Sequence, residues 1–335
     1  RGELAGDFGP DLERRETTSE LAARRGATAA VNAGFFVLDP AAGAPGDPAG
    51  LGVYDGRVLS EPVNGRPSLV FSSDGHRAAV ARHTWSGSVS GRGRTLPLDG
   101  LNRVPGLIRN CGGTGDTPTD LPLHDTTCVD AGELVAFTPE FGASTPSGEG
   151  VEAVVDAHDR VTSVRSPRGG GLPPGSRSVQ ATGARAAWLA ELAVPGETLR
   201  TRSRVRGPVA DHVVNGGPQL VRDGRRYVTA AADGMVRPGD PSFHYGWVTK
   251  RNPRTIAGAD ARGRILLATV DGRATTSLGL SIAEAAAVAQ GLGMRDALNL
   301  DGGGSTTMVT GGRVINAPSD AAGERPVGDA VLVLP

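Results

Sequence analysis

Asp-Ala-Leu-Asn-Leu-Asp-Gly-Gly-Gly-Ser-Thr-Thr, residues 296–307, is the stretch on which the fold turns. Asp296 to Leu300 has the length of a short strand, and it runs straight into three glycines and three hydroxyl residues. Just upstream, Ser281-Ile282-Ala283-Glu284 is a capping-box pattern, with Ser281 as N-cap and Glu284 reaching back. The helix it starts runs through AAAVAQGLG and stops at Gly293. Before it, ILLATV at 265–270 is an apolar run of the kind a buried strand shows, closed by Asp271-Gly272-Arg273. A crossover of this length containing a helix favours two parallel strands in one sheet, both ending on the same edge. Asp271 and Arg273 then sit beside Asn299, Asp301 and the glycine run, where ligands of such sheets collect. Downstream, Met308-Val309-Thr310 and Arg313-Val314-Ile315 flank a Gly311-Gly312 hairpin turn.

Working outward, TSELAARR at 18–25 reads as a short helix stopped by Gly26, and Ala27 to Val31 as a strand running into Asn32-Ala33-Gly34. Residues 37–50 read as a loop. From Leu51 to Val205 short runs alternate with turn signals, which is hairpin material, with one Ala-rich helix over 184–193. The expected fold class is α/β in the mixed α+β sense. It has mixed sheets, a strand–helix–strand unit near the C-terminus and a strand-rich insertion lobe at 77–205, within one domain over 1–335.

Composition narrows the function. The chain has 335 residues, 38% hydrophobic and 4% aromatic, with a net charge of −1. It is long enough to bury a sizeable core. The absence of a basic excess argues against a nucleic-acid binder, and no apolar run is long enough to span a membrane. The 50 glycines have no three-residue period, which excludes collagen. Lysine occurs once, at Lys250, so arginine supplies 34 of the 35 basic residues, and an anion site is expected to use guanidinium groups. Cys111 and Cys128 flank 16 residues without periodicity and read as one disulfide closing a loop, worth about 3 kcal/mol in the chain-entropy model. That points to an exported protein. The chain begins at Arg1 without methionine, which reads as a processed or trimmed product. Oligomeric state is left open.

The sharpest local signal is 301–307. Successive glycines let a ligand approach the main chain, and the amides of Gly302, Gly303, Gly304 and Ser305 can form an anion-binding nest. Ser305, Thr306 and Thr307 add hydroxyl donors. A flexible turn would look similar, but the nucleotide P-loop and dinucleotide fingerprints do not fit the spacing. Asn32-Ala33-Gly34, Asn215-Gly216-Gly217 and Asn299-Leu300-Asp301-Gly302 repeat one theme, an Asn at a strand end followed by a glycine turn. Asn amides suit sugar hydroxyls, although Asn-Gly pairs are also ordinary turn residues. Asn32 and Asn299 are the stronger candidates and Asn215 a secondary one. Arg254, with Arg251 as a secondary candidate, is placed to clamp a phosphate. Phe243 to Trp247 gathers aromatics that suit sugar rings or a core, with His244 a secondary candidate acid or base. No zincin, nucleophile-elbow or zinc-ribbon pattern occurs.

AAVNAGFF (29–36), VNGGPQLVRDG (214–224), RNPRTIAGADARGRILLATVDGR (251–273), GLSIAEAAAVAQGLGMRDALNLDGGGSTTMV (279–309) and GERPVGDAVLV (323–333), in this order, resemble the phosphodiester glycosidase family, to which the lysosomal uncovering enzyme is related. VDGR followed by NLDGGGSTTM is the most specific part, and VAFTPEFGAST (135–145) is similar to bacterial exported members. Asn252 departs from the pattern, standing where several members carry histidine. The resemblance implies hydrolysis of the bond between an anomeric carbon and a phosphodiester, in a secreted or extracellular setting such as cell-wall or capsular polymers. Asp271 and Asp301 become candidates for base or nucleophile, with Glu324 a third carboxylate. Arg254, Arg273 and the 302–305 amides would stabilise the phosphate leaving group. A phosphosugar or glycan is the expected partner. No organic cofactor is called for, while Asp271, Asp301 and Asn299 are also donors that a hard divalent cation takes. Two other readings stay open: a non-catalytic glycan-binding module, and a phosphodiesterase cutting P–O.

Overall fold

The computed structural model describes residues 2–37, 44–63, 65–72, 74–109, 127–236 and 239–335. Among them strand outweighs helix, 41% against 14%, so the fold is mixed but largely β, less helical than the α/β expectation. Of the expected disulfide, Cys111 lies outside the described residues and Cys128 is described only as backbone of the strand Thr127–Val129, so the pairing lies outside them too.

The C-terminal unit forms a five-stranded sheet. Its order is Arg225–Arg226, Gln219–Arg222, Asp296–Asn299, Arg254–Ala259, Ile265–Val270, antiparallel throughout. Strands Ile265–Val270 and Asp296–Asn299 therefore point the same way, as the crossover rule requires. They are not neighbours, however. Arg254–Ala259 lies between them and pairs with both, Arg254 opposite Val270 and Ile256 opposite Asn299. This strand is buried along its whole length. Its composition is small because space is short: a side chain at Gly258 would meet the Asp296 carbonyl and the Met294 sulfur. The crossover helix Ile282–Gly291 starts at the Ser281/Glu284 capping box. Ile282, Ala285, Ala286 and Ala289 form its buried face and pack on Leu220, Val221, Ile256 and Ala297.

A second five-stranded sheet joins both ends of the chain, in the order Glu3–Asp7, Ala330–Leu334, Ala29–Asn32, Met308–Thr310, Arg313–Val314. The helix Thr18–Arg25 covers it. This helix is capped by a reciprocal Thr17/Glu20 box and ended by Gly26, whose φ of 63° only glycine adopts cheaply. A third sheet contains Val213–Asn215 between Gly52–Tyr54 and Pro67–Phe71. The main hydrophobic core lies between these sheets and includes Leu4, Tyr54, Leu69, Phe71, Val214, Leu298 and Val331. Residues 84–101 and 134–206 build a separate core around Trp85, Val89, Leu134, Val179 and Leu189.

Asp329 is buried where these sheets meet. Its Oδ1 accepts the Gly34 N–H and its Oδ2 the Tyr54 hydroxyl, both at 2.6 Å. Burial is the main cause that pushes its carboxyl up to about 6, outweighing those two hydrogen bonds. A folded-state pKa above the unfolded value means that protonation favours the fold. The contribution is complete below the unfolded pKa and is lost as pH rises through about 6. Urea unfolding of wild type and Asp329→Asn at pH 4.5 and 8 checks this. Wild type should gain on the variant as pH falls, by about 3 kcal/mol at most. A pH-independent difference contradicts it.

Candidate functional site

The shared edge of the C-terminal sheet opens into a cleft of about 250 Å³. Arg254, first residue of the strand Arg254–Ala259, forms its floor, only 4% exposed. Its guanidinium is held by carbonyls: Nε donates to Leu280 at 2.9 Å, and one terminal nitrogen to Trp247 and Lys250 at 3.2 and 3.3 Å. No carboxylate pairs with it among the described residues. Burial, then the charge of Arg273, pulls its pKa down to about 10, so it stays protonated at neutral pH.

Arg273 comes from the turn after Ile265–Val270, at a φ of 58°. It is exposed, and Nε and a terminal nitrogen donate to Asn252 Oδ1 at 3.2 and 3.1 Å. Asn252, the position that departs from the family pattern, is itself fixed through Nδ2 by the carbonyls of Gly246 and Lys250. A neutral amide orients Arg273 without cancelling its charge. Lys250, the single lysine, also lines the cleft beside the two guanidinium groups. Arg325 completes the basic lining and is paired with Asp320 at 2.8 Å.

Asp301 is the one carboxylate among the described lining residues. Its Oδ1 accepts the N–H of Gly302 at 2.8 Å. The glycine run then folds into a single 3₁₀ turn, and this changes the reading of its amides. Gly303 donates to Pro253 O, Ser305 to Gly302 O and Thr306 to Gly303 O, which leaves Gly304 as the amide of the run without a bond among the described residues. The run is therefore no anion nest. Its glycines act by small size: a Cβ at Gly303, whose φ is 61°, would sit 2.9 Å from the Arg273 guanidinium. Asn299 lines the cleft as well. Its Nδ2 donates to Gly217 and Leu300 carbonyls, while Oδ1 has no partner among the described residues. Phe35 and Trp247 form an aromatic wall, ring centroids 6.2 Å apart and nearly perpendicular.

Other sequence candidates lie elsewhere. Asn32 is fully buried under the site, donating to Asp301 O at 2.7 Å and accepting from Thr255 Oγ1 and Thr307 N at 2.6 and 3.1 Å. Asn215 brackets the Phe35 backbone, accepting its N–H and donating to its carbonyl. Ser305 and Thr306 are buried rather than cleft-lining. Asp271 Oδ1 accepts from Asn316 Nδ2 and Ala317 N at 3.0 and 3.1 Å and does not line the cleft. It thus stands apart from Asp301 and Asn299, its expected companions around a cation. No group of three or more His, Cys, Asp or Glu residues placed for a metal occurs among the described residues. Glu324 holds Ser19, Arg251 pairs with Glu284, and His244 ends the helix Pro241–His244 without reaching the cleft. The sequence did not nominate Phe35, Lys250 or Arg325, and it marked Asn252 only as a departure from the family pattern. The lone lysine was the one available signal for Lys250.

Residues 149–334 match the family described as phosphodiester glycosidase. The chain belongs to the phosphodiester glycosidase family. The match begins inside the stretch 77–205. The chain is similar over its whole length to a Burkholderia pseudomallei protein described as exported, at 36% identity and a TM-score of 0.87, covering 71% of that structure. A hypothetical protein from Synechocystis shares the fold, at 21% identity and a TM-score of 0.72, with 98% of this chain and 56% of that one covered. The N-acetylglucosamine-1-phosphodiester alpha-N-acetylglucosaminidase of Bos taurus is 34% identical over 110 residues, which is 32% of this chain. That match spans one fifth (20%) of the curated relative's length.

Titration calorimetry with inorganic phosphate probes the basic floor. Arg273→Gln should weaken binding about tenfold or more with little change in Tm, because the side chain is exposed. Arg254→Met should weaken binding and also lower Tm, because three carbonyls lose their donor. Unchanged phosphate affinity in both variants would remove the anion site.

Proposed function

We propose that the protein is an exported hydrolase that cleaves the glycosidic bond of glycosyl-1-phosphodiesters. The observation that carries this reading is the pair Arg254 and Arg273, two guanidiniums without a carboxylate partner among the described residues, facing a cleft lined by one carboxylate, Asp301. Family membership supports the reaction class, and the likeness to an exported bacterial protein supports the location.

The chemistry follows from the charges. A phosphate oxygen is already a good leaving group, so the step needs stabilisation of negative charge more than protonation. Arg254, Arg273 and Lys250 supply that charge on one side. As the C–O bond lengthens, positive character grows at the anomeric carbon and ring oxygen. Asp301 stabilises it from the other side and acts as nucleophile or as base toward water. The Phe35–Trp247 wall offers an apolar face for the ring. Asp271 supports the site from behind by holding the 316–317 backbone and side chain.

A panel of α-linked sugar-1-phosphodiesters in ¹⁸O-water tests the proposal. Free sugar carrying the label is expected, with kcat lowered about 10²–10⁴-fold in Asp301→Asn and KM little changed. Label in the phosphate product would mean P–O cleavage. No turnover on any diester would leave a binding module.

A further inference from the structure

The strand Arg200–Arg206 reads Arg-Thr-Arg-Ser-Arg-Val-Arg, with arginine at every second position. It is the outer strand of a three-stranded sheet and pairs along its full length with Thr84–Gly91. Side chains alternate between faces. Val205 turns inward beside Trp85 and packs on the second core. Arg200, Arg202, Arg204 and Arg206 therefore share the outer face, and all four are exposed. Opposite them on the next strand stand Ser90, Ser88, Ser86 and Thr84. Arg200 is paired with Asp159 at 3.4 Å, while Arg202, Arg204 and Arg206 have no ion pair among the described residues. At about 6.8 Å between alternate residues, the row runs about 20 Å. None of it lines the cleft.

Charge on an edge strand also blocks pairing with a second sheet. That role needs no single sign at every outward position and no hydroxyl opposite each charge, and it does not offset the mutual repulsion of like charges in a row. We propose that this face binds a linear sugar-phosphate polymer, presenting guanidiniums to successive phosphodiesters and hydroxyls to the sugars between them. Naming the polymer this way rests on the hydrolase reading above, whose cleft would cut the same class of bond. Among the described residues, these strands place no aromatic side chain on the face, so it lacks the stacking platform that single-stranded nucleic acid takes.

The test measures binding of a linear poly(hexose 1-phosphate), in an Asp301→Asn background to prevent turnover, with and without Arg202→Ser, Arg204→Ser and Arg206→Ser combined. These positions are exposed, and circular dichroism confirms the fold of each protein. The triple change should weaken binding at least tenfold at low salt and reduce the slope of log K against log salt by about 2. With Asp301 intact, the triple variant should turn over a small sugar-1-phosphodiester as the wild type does. Equal polymer affinity in the triple variant overturns the proposal, as does binding of a (dT)₃₀ oligonucleotide that is as tight and as arginine-dependent. Arginine-dependent polymer binding without any small-diester turnover would support the surface and sink the hydrolase reading. Turnover without arginine-dependent binding would do the reverse.

Discussion

Arg254 is buried, and its charge is solvated by carbonyl oxygens rather than by a carboxylate. Taking an ion of this size out of water costs several kcal/mol even after relaxation. Three backbone dipoles offset part of that cost, and burial together with the nearby charge of Arg273 lowers its pKa to about 10. A carboxylate partner would stabilise the resting fold better, but it would also cancel the charge that an incoming anion needs. Much of the local architecture follows from this choice. The segment 245–250 must turn two carbonyls inward, and Leu280 must present a third just ahead of the crossover helix. Asn252 and Leu280 exchange backbone hydrogen bonds at 3.1 and 2.9 Å, locking those two loops together. Pro253, next to the arginine, accepts the Gly303 amide and so fixes the glycine turn over the same floor.

Asparagine side chains then stitch the surrounding backbone into register. Asn32 ties the Ala29–Asn32 strand to Thr255, Asp301 and Thr307, three points on two other chain segments. Asn215 fixes the backbone of Phe35, and with it one wall of the cleft. Buried amides of this kind are favourable only when their bonds are made. That requirement makes the relative position of Arg254, Asp301 and the aromatic wall a property of the fold rather than of mobile side chains. Asn299 is the exception in this group, with its Nδ2 bonded and its buried Oδ1 without a partner among the described residues.

Local patterns were legible in the sequence, and tertiary substitutions of role were not. The capping box at Ser281, the strand 265–270, the helix 18–25 and the hairpin at 311–312 follow from propensity and turn chemistry, which act over a few residues. The common direction of Ile265–Val270 and Asp296–Asn299 also followed, from the length of the crossover. The strand lying between them did not, because RTIAGA has no clean alternation and, with both faces buried, ends in the small residues Ala257, Gly258 and Ala259. The three glycines do line the cleft, but of the four amides expected to meet a ligand, three bond to the Asp301 side chain, the Pro253 carbonyl and the Gly302 carbonyl. Asn32 and Asn215 share the Asn-turn signature of a sugar contact and serve backbone instead. Lys250, Asn252 and Arg325 reach the cleft from loops, where no periodicity marks a residue for the interior of a site.

The account makes one geometric claim above the others: phosphate between Arg254 and Arg273, anomeric carbon toward Asp301. A crystal structure with a non-hydrolysable sugar 1-phosphonate ester measures it directly. The account predicts phosphonate oxygens within hydrogen-bond distance of both guanidiniums, with the carbon that replaces the glycosidic oxygen on the Asp301 side. An analogue bound with its phosphonate away from Arg254, or with its sugar turned from Asp301, would contradict it.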